Sequence, residues 1–323
     1  MNLNMVEAIN LALKQEMKKD KTVILLGEDI GKDGGVFRVT EGLLDIYGEN
    51  RVIDTPLAES GIVGCSIGMA INGLKPVCEI QFEGFIFPAI DQIISHASRL
   101  RNRSRGRYTV PLVVRSPIGG GIKALEHHSE SPESHFIHIP GIKVVVPSRP
   151  YNAKGLLISA IRDPDPVIFF EPKKIYRAFK EEVPEEEYTI PLGKAEILKE
   201  GEDVTLIGFG AWIKNCLEAA EELKNEISVE VLDLQTLSPL DVDAIIDSVK
   251  KTGRAVVVQE AQKTCGIASE ITSLINEKAF LNMEAPVEVL AGVDTITPMP
   301  KLEDYYFPNT KKIVKLVRKV NSF

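Results

Sequence analysis

Short continuous runs of β-branched and aliphatic residues alternate with helix-patterned segments from one end of this chain to the other. That rhythm restricts the fold more than any other feature, because strands that are apolar throughout belong to parallel sheets covered by helices on both faces. TVILLGE (22–28), VIDTP (52–56), PVCEIQF (76–82), VPLVVRSP (110–117), KVVVPS (143–148) and PVIFFEP (166–172) read as strands of a first such sheet. Between the second and third lies ESGIVGCSIGMAINGL (59–74), small or apolar on nearly every side, which predicts a helix buried all round. Helical spacing also marks the stretch around PAIDQIISHASRLRN and NAKGLLISAIRD (152–163).

The rhythm breaks at KEEVPEEEYTIPLG (180–193), which is acidic, contains proline and is poor in large aliphatics, as domain linkers are. It resumes with DVTLIGFG (203–210), ISVEVLDLQT (227–236), AVVVQEA (255–261) and VEVLAG (287–292), and with helices at AWIKNCLEAAEELKN, SPLDVDAIIDSVKKTG (238–253) and TKKIVKLVRKV. In the 238–253 helix Ser238 is the expected N-cap, Pro239 the first helical residue and Gly253 the stop. The reading is therefore α/β, with two parallel-sheet domains over residues 1–180 and 194–323 and a linker at 181–193. A length of 323 residues suits two cores of ordinary size.

A net charge of −8 gives no footprint for nucleic acid or an anionic membrane. The N-terminal MNLNMVEAINLALKQEMKKDK alternates apolar and charged residues at helical spacing and lacks the uninterrupted apolar centre of a signal peptide. No apolar run approaches the ~18 residues of a membrane span. A cytoplasmic location is the expectation. Cys65, Cys78, Cys216 and Cys265 include no C-x-x-C pair and read as reduced, buried thiols.

No GxxxxGK[ST] loop is present, and GFG at 208–210 lacks the rest of a dinucleotide fingerprint, so it reads as a tight strand-to-helix turn. Three other places carry chemistry. The first is GGGIKALEHHSESPESHFIHIPG, a long inter-strand segment holding His127, His128, His135 and His138 with Glu126, Glu130 and Glu133. It admits three readings: a transition-metal site, whose spacing matches no common zinc pattern; a catalytic loop presenting one histidine for proton transfer, with glycines 119–121 as its hinge; and a solvated polar loop. The second is Glu59, which follows a strand end and opens the apolar helix. A carboxylate in a first helical turn complements the macrodipole, and it also stands where open α/β sheets bind ligands. The third is EIQFEGFIFPAIDQ, where Phe82, Phe85 and Phe87 lie beside Gln81 and Glu83; these rings either pack a core or stack on a flat heterocycle.

In order along the chain, LGEDIG, GVFRVTEGL, RVIDTPLAESGIVGCSIGMAINGLKPVCEIQF, IFPAIDQI, HHSESPESHFIHIPGIKVVVPS, FFEPKKIYR, DVTLIGFG and GVDT…P near 292–300 resemble the beta subunit of the decarboxylating, thiamine-diphosphate-dependent component of 2-oxo acid dehydrogenase complexes. The likeness runs from about residue 4 to the C-terminus. HSESPESHF and FFEPKKIYRA…EEVP look closest to the branched-chain type, with pyruvate and acetoin enzymes as the alternatives. The resemblance implies a thiamine pyrimidine-binding domain followed by a transketolase C-terminal-like domain.

It also implies roles. Glu59 matches the glutamate that hydrogen-bonds N1′ of the aminopyrimidine and stabilises its imino tautomer, which primes the cofactor for attack on the 2-oxo carbon. Phe85 matches a ring packed on the aminopyrimidine, and Leu57 and Gln81 match other cofactor-lining positions. His128 aligns with the histidine that moves a proton while the acyl group passes to a lipoyl arm, with His127 beside it as the competing assignment. A potassium site is implied at the backbone of Leu112, Ala160, Asp163 and Asp165. Asp294 and the terminal carboxylate of Phe323 match positions that dock the lipoyl-bearing acyltransferase core.

One departure is informative: the GDG motif with which thiamine enzymes hold magnesium and the diphosphate is missing. The resemblance then implies that an alpha subunit supplies that end of the cofactor in an α2β2 heterotetramer. A subunit that has lost catalysis, a self-contained transketolase-like enzyme and a nucleotide-binding dehydrogenase are the competing classes. The first conflicts with the joint presence of Glu59, Phe85 and His128, the second with the absent GDG motif, the third with the absent glycine fingerprint.

Overall fold

The computed structural model describes all residues, Met1–Phe323. They divide into two compact units, one made of Met1–Ile118 with His135–Leu192, the other of Gly119–Ser134 with Gly193–Phe323.

The first unit begins with the helix Met5–Lys19. Asn4 caps it through a reciprocal pair of bonds: the Asn4 side chain accepts from the Glu7 amide, and the Glu7 carboxylate accepts from the Asn4 amide. Met5, Ile9, Leu13 and Met17, spaced by four, are fully buried. The sheet contributes six parallel strands from this unit in the order Lys143–Val145, Val167–Pro172, Val113–Ile118, Lys75–Glu79, Val23–Gly27, Val52–Asp54. Gly27 is in register with both Glu79 and Asp54, so these three strands end together. That common edge gathers the residues that follow each strand into one place.

Two expectations for this unit need correction. The helix Glu59–Ile71 is not buried all round: Ser60, Gly61 and Cys65 are exposed on one face, while Glu59, Ile62, Val63, Ser66, Ile67 and Ala70 are buried. An apolar sequence states what a helix can bury, not that this chain alone buries it. The stretch after Lys75–Glu79 is not one helix but a 3₁₀ segment Glu83–Ala89, a π segment Gln92–Ala97 and a short α turn Leu100–Arg103. Pro88 lies inside the first and removes an amide donor, which prevents a regular α ladder from starting there.

The segment read as a linker is fastened to this unit. Glu181–Glu182 pairs antiparallel with Asn2–Leu3. The buried Lys154 donates to the carbonyls of Pro184 at 2.5 Å and Glu186 at 2.8 Å, and its ammonium lies 4.9 Å from the centre of the Tyr188 ring.

The second unit holds a five-stranded sheet in the order Glu288–Gly292, Ala255–Gln262, Val204–Gly208, Val229–Asp233, Glu196–Lys199. The last is an antiparallel edge strand. Neither it nor the helix Ile267–Ala279 was expected from the sequence. Helix Val242–Thr252 starts later than predicted. Asp241, not Ser238, is its cap and accepts from the Ala244 amide, while Gly253 ends it in a left-handed conformation as foreseen. Asp241 wins because its second oxygen also takes the Ala195 amide. Cys78 and Cys216 are buried, but Cys65 and Cys265 are exposed, against expectation; all four are free thiols. No helix is long and apolar enough to cross a membrane.

Candidate active site

The carboxyl edge of the first unit's sheet brings the sequence-predicted acid to a specific neighbour. Glu59 is the first residue of its helix and is 8% exposed. Glu28, which follows the strand Val23–Gly27, is 6% exposed. The amide of Ala58 hydrogen-bonds the Glu28 carboxyl, and burial followed by the nearby charges of Glu59 and Asp29 raises the Glu28 pKa above the usual range. One Glu28 oxygen, Oε1, and the Thr55 hydroxyl at the end of the adjacent strand are buried without hydrogen-bond partners. Orphaned polar atoms are rare in an interior, and each calls for a partner such as water or a bound group.

The aromatic strand end stands beside this edge. Phe82 and Phe85 meet edge to face at 6.2 Å, and Phe82 meets Phe37 the same way at 5.4 Å. All three rings are half-buried, so none is consumed by a core. Gln81 donates to the Asp29 carboxylate at 3.0 Å and to the Glu28 carbonyl at 3.4 Å, which ties the end of one strand to the start of the next loop. Leu57 is 80% exposed.

Sequence reasoning missed what lies beneath. Arg115 is buried in the central strand Val113–Ile118, donating to Glu79 at 2.8 Å and to both oxygens of Glu171 at 2.7 and 2.9 Å. Tyr176 donates its hydroxyl to Glu171 at 2.6 Å. Glu83 and Lys173 form a second, wholly buried pair, and the Lys173 ammonium sits 5.7 Å from the Phe82 ring centre. Burial works against the Arg115 charge, yet Glu171 and Glu79 overcome it and hold the guanidinium more firmly protonated than in water. Burial pushes the Glu79 carboxyl up even with Arg115 beside it. The available signal was a charged residue inside each of three apolar runs, KPVCE, VVRSPI and VIFFEP.

The histidines do not assemble. His127 and His128 share a 3₁₀ turn, Glu126–His128, with rings 6.3 Å apart, in the segment that groups with the second unit. His135 and His138 are exposed on or beside the next helix, and His135 meets Phe87 at 5.6 Å. No group of three or more His, Cys, Asp or Glu side chains converges to hold a metal ion.

Of the remaining predicted positions, Leu112 and Ala160 are buried, and their carbonyls accept from the Val167 and Asp163 amides. The aspartates are engaged by cations: Lys143 bonds Asp163 at 2.7 Å, and Arg101 bonds Asp165 at 2.6 Å. Asp294 is exposed and accepts from the Thr264 hydroxyl at 2.5 Å and amide at 3.1 Å, which holds its carboxyl below the usual range. Phe323 is 65% exposed.

Comparison with known proteins meets this geometry. Residues 1–178 match the transketolase pyrimidine-binding domain model, and residues 193–313 match the transketolase C-terminal domain model. The chain is 54% identical to the pyruvate dehydrogenase E1 component subunit beta of Acholeplasma laidlawii over 98% of both chains. It is 53% identical to that of Bacillus subtilis (strain 168) over 99% of both. The chain belongs to the 2-oxo acid dehydrogenase beta-subunit family. Its fold also superposes on a split-gene transketolase solved as an inactive beta4 tetramer, with a TM-score of 0.82, 21% identity and coverage of 100% and 99% of the two chains. The branched-chain assignment drawn from HSESPESHF and FFEPKKIYR finds no support among these relatives, which carry the pyruvate name.

The buried ions beneath the beta-subunit site yield a prediction. Arg115→Met leaves Glu79 and Glu171 without their cation, and loss of one partner of a buried pair costs about 3–5 kcal/mol. Denaturant unfolding should show a loss of that size. An unchanged midpoint would mean that the layer contributes nothing to stability.

Proposed function

We propose that this chain is the beta subunit of a pyruvate dehydrogenase, acting with an alpha subunit in an α2β2 assembly and passing the acetyl group to a lipoyl-bearing acyltransferase. Full-length identity of 54% to a pyruvate dehydrogenase beta subunit carries this reading over the branched-chain one.

The residues at the sheet edge fit the aminopyrimidine end of thiamine diphosphate. The orphaned Glu28 oxygen and the half-buried Phe82 and Phe85 rings offer a polar and an aromatic partner for such a ring. When bound, thiamine diphosphate supplies a nucleophilic carbon for the 2-oxo group and a ring that accepts electrons as CO2 leaves. Glu59 would hydrogen-bond a ring nitrogen of the aminopyrimidine. Phe85 gives that ring a flat face, with Gln81 and Leu57 lining its surroundings. His128, with His127 next to it, serves proton transfer at the lipoyl step. Magnesium and the diphosphate fall to the alpha subunit, since this chain has no GDG motif. The acyltransferase core docks through Asp294 and the Phe323 carboxylate, and that association weakens as salt rises.

The test is co-expression with the alpha partner and decarboxylation of pyruvate, 2-oxoisovalerate and 2-oxoisocaproate to an artificial electron acceptor. Pyruvate should be preferred, and Glu59→Gln should lower kcat by about 10²–10⁴. Preference for the branched acids would restore the alternative substrate, and full activity without Glu59 would end the assignment of its role.

The same proposal includes a potassium ion on the backbone of Leu112, Ala160, Asp163 and Asp165, because a carbonyl that accepts one hydrogen bond keeps a second lone pair. Thermal unfolding should rise with K+ and not with Na+. Superimposable curves in the two salts would remove the ion.

A further inference from the structure

Gly119 and Gly120 are closely approached by other groups. Gly119 has φ +82, and a Cβ there would lie 2.8 Å from Glu260 Oε1. A Cβ on Gly120 would lie 2.1 Å from the Phe307 ring, which is stacked on Trp212 with centres 6.0 Å apart. At both positions the chain passes too close to other groups for a side chain.

The close approach delivers donors to one carboxylate. Glu260, on the strand Ala255–Gln262, is 7% exposed. Its Oε1 accepts from the Gly120 amide at 2.6 Å and from the Ser131 hydroxyl at 3.0 Å, and its Oε2 accepts from the Trp212 indole at 2.7 Å. The loop is thus held on both sides of the His127–His128 turn by the same oxygen. Auxiliary bonds flank it: Gly121 to Glu303, Gly119 to the Glu130 carbonyl at 2.7 Å, and Thr297 to the Ser129 carbonyl at 3.4 Å. Between the attachments Ile122, Leu125 and His127 are exposed.

We propose that Glu260 is a positioning residue for the acyl-transfer step, a buried latch that closes the base of the loop and fixes the direction of its histidine-bearing tip. Hydrogen bonds to a carboxylate are stronger than neutral ones, and a low-dielectric setting strengthens them further. One charge replaces the many contacts that an exposed loop cannot make. Glu133 is wholly buried in the same segment, and burial, with the Glu260 charge adding to it, lifts its carboxyl to about 8.

This inference rests on the proposed function and is tested separately from it. Glu260→Gln and Ser131→Ala are prepared in the complete αβ assembly. Two activities are compared: pyruvate oxidation with an artificial acceptor, and acetylation of a lipoylated acyltransferase domain. Limited proteolysis reports cleavage within 119–134. Glu260→Gln should slow lipoyl acetylation about tenfold and speed loop cleavage by a similar factor, while artificial-acceptor oxidation stays within about twofold. Ser131→Ala, which leaves the buried carboxylate and its other donors in place, should show the same split at smaller amplitude and covers the case in which Glu260→Gln fails to fold. Equal losses in both activities, or unchanged cleavage and acetylation in Ser131→Ala, would overturn the latch. A wild-type assembly inactive toward pyruvate in both assays would instead overturn the proposed function.

Discussion

The first unit depends on a layer of buried charge at the carboxyl ends of its central strands. Glu79, Arg115 and Glu171 sit on three adjacent parallel strands, and the register that pairs Glu79 with Arg115 lets one guanidinium span both acids. A fork of donors that cannot be deprotonated suits this position better than an ammonium would. Removing such charges from water is costly, so the arrangement holds only with each strand in its place. Register and site are therefore linked: a one-residue slip would break the layer and displace the strand ends that present Glu28, Thr55 and Gln81.

Above that layer the chemistry is organised by environment. Glu28 and Glu59 share a dry edge where one carboxyl raises the other's hold on its proton. In the second unit burial, with Glu260 nearby, likewise raises the Glu133 carboxyl, while Glu260 accepts from the Gly120 amide. In both places a buried acid with a raised hold on its proton lies near a second carboxyl.

The alternating rhythm of the sequence was sufficient for the fold class and for the six parallel strands of the first unit, because strands covered on both faces are mostly apolar. It missed the edge strand Glu196–Lys199, whose half-exposed residues carry no such signal, and the helix Ile267–Ala279. Capping chemistry was legible at Gly253 but misplaced at Ser238, since Asp241 gains a tertiary bond that no local pattern encodes. Glu59 and the phenylalanines stood out by position. Arg115 and Glu171 drew no attention in the sequence, because the partners of Arg115 lie 36 and 56 residues away. What Gly119 and Gly120 lie against, Glu260 and Phe307, is not recorded in the sequence. The branched-chain preference read from HSESPESHF and FFEPKKIYR finds no support in relatives named for pyruvate.

The central claim is that this chain carries the aminopyrimidine half of a cofactor site whose diphosphate half lies on another polypeptide. Calorimetric titration of thiamine diphosphate and Mg2+ into the chain alone, and into the chain assembled with its alpha partner, tests it most directly. The account predicts tight binding in the assembly and none that is tight in the chain alone. Equally tight binding by the isolated chain, with turnover of pyruvate, would contradict it.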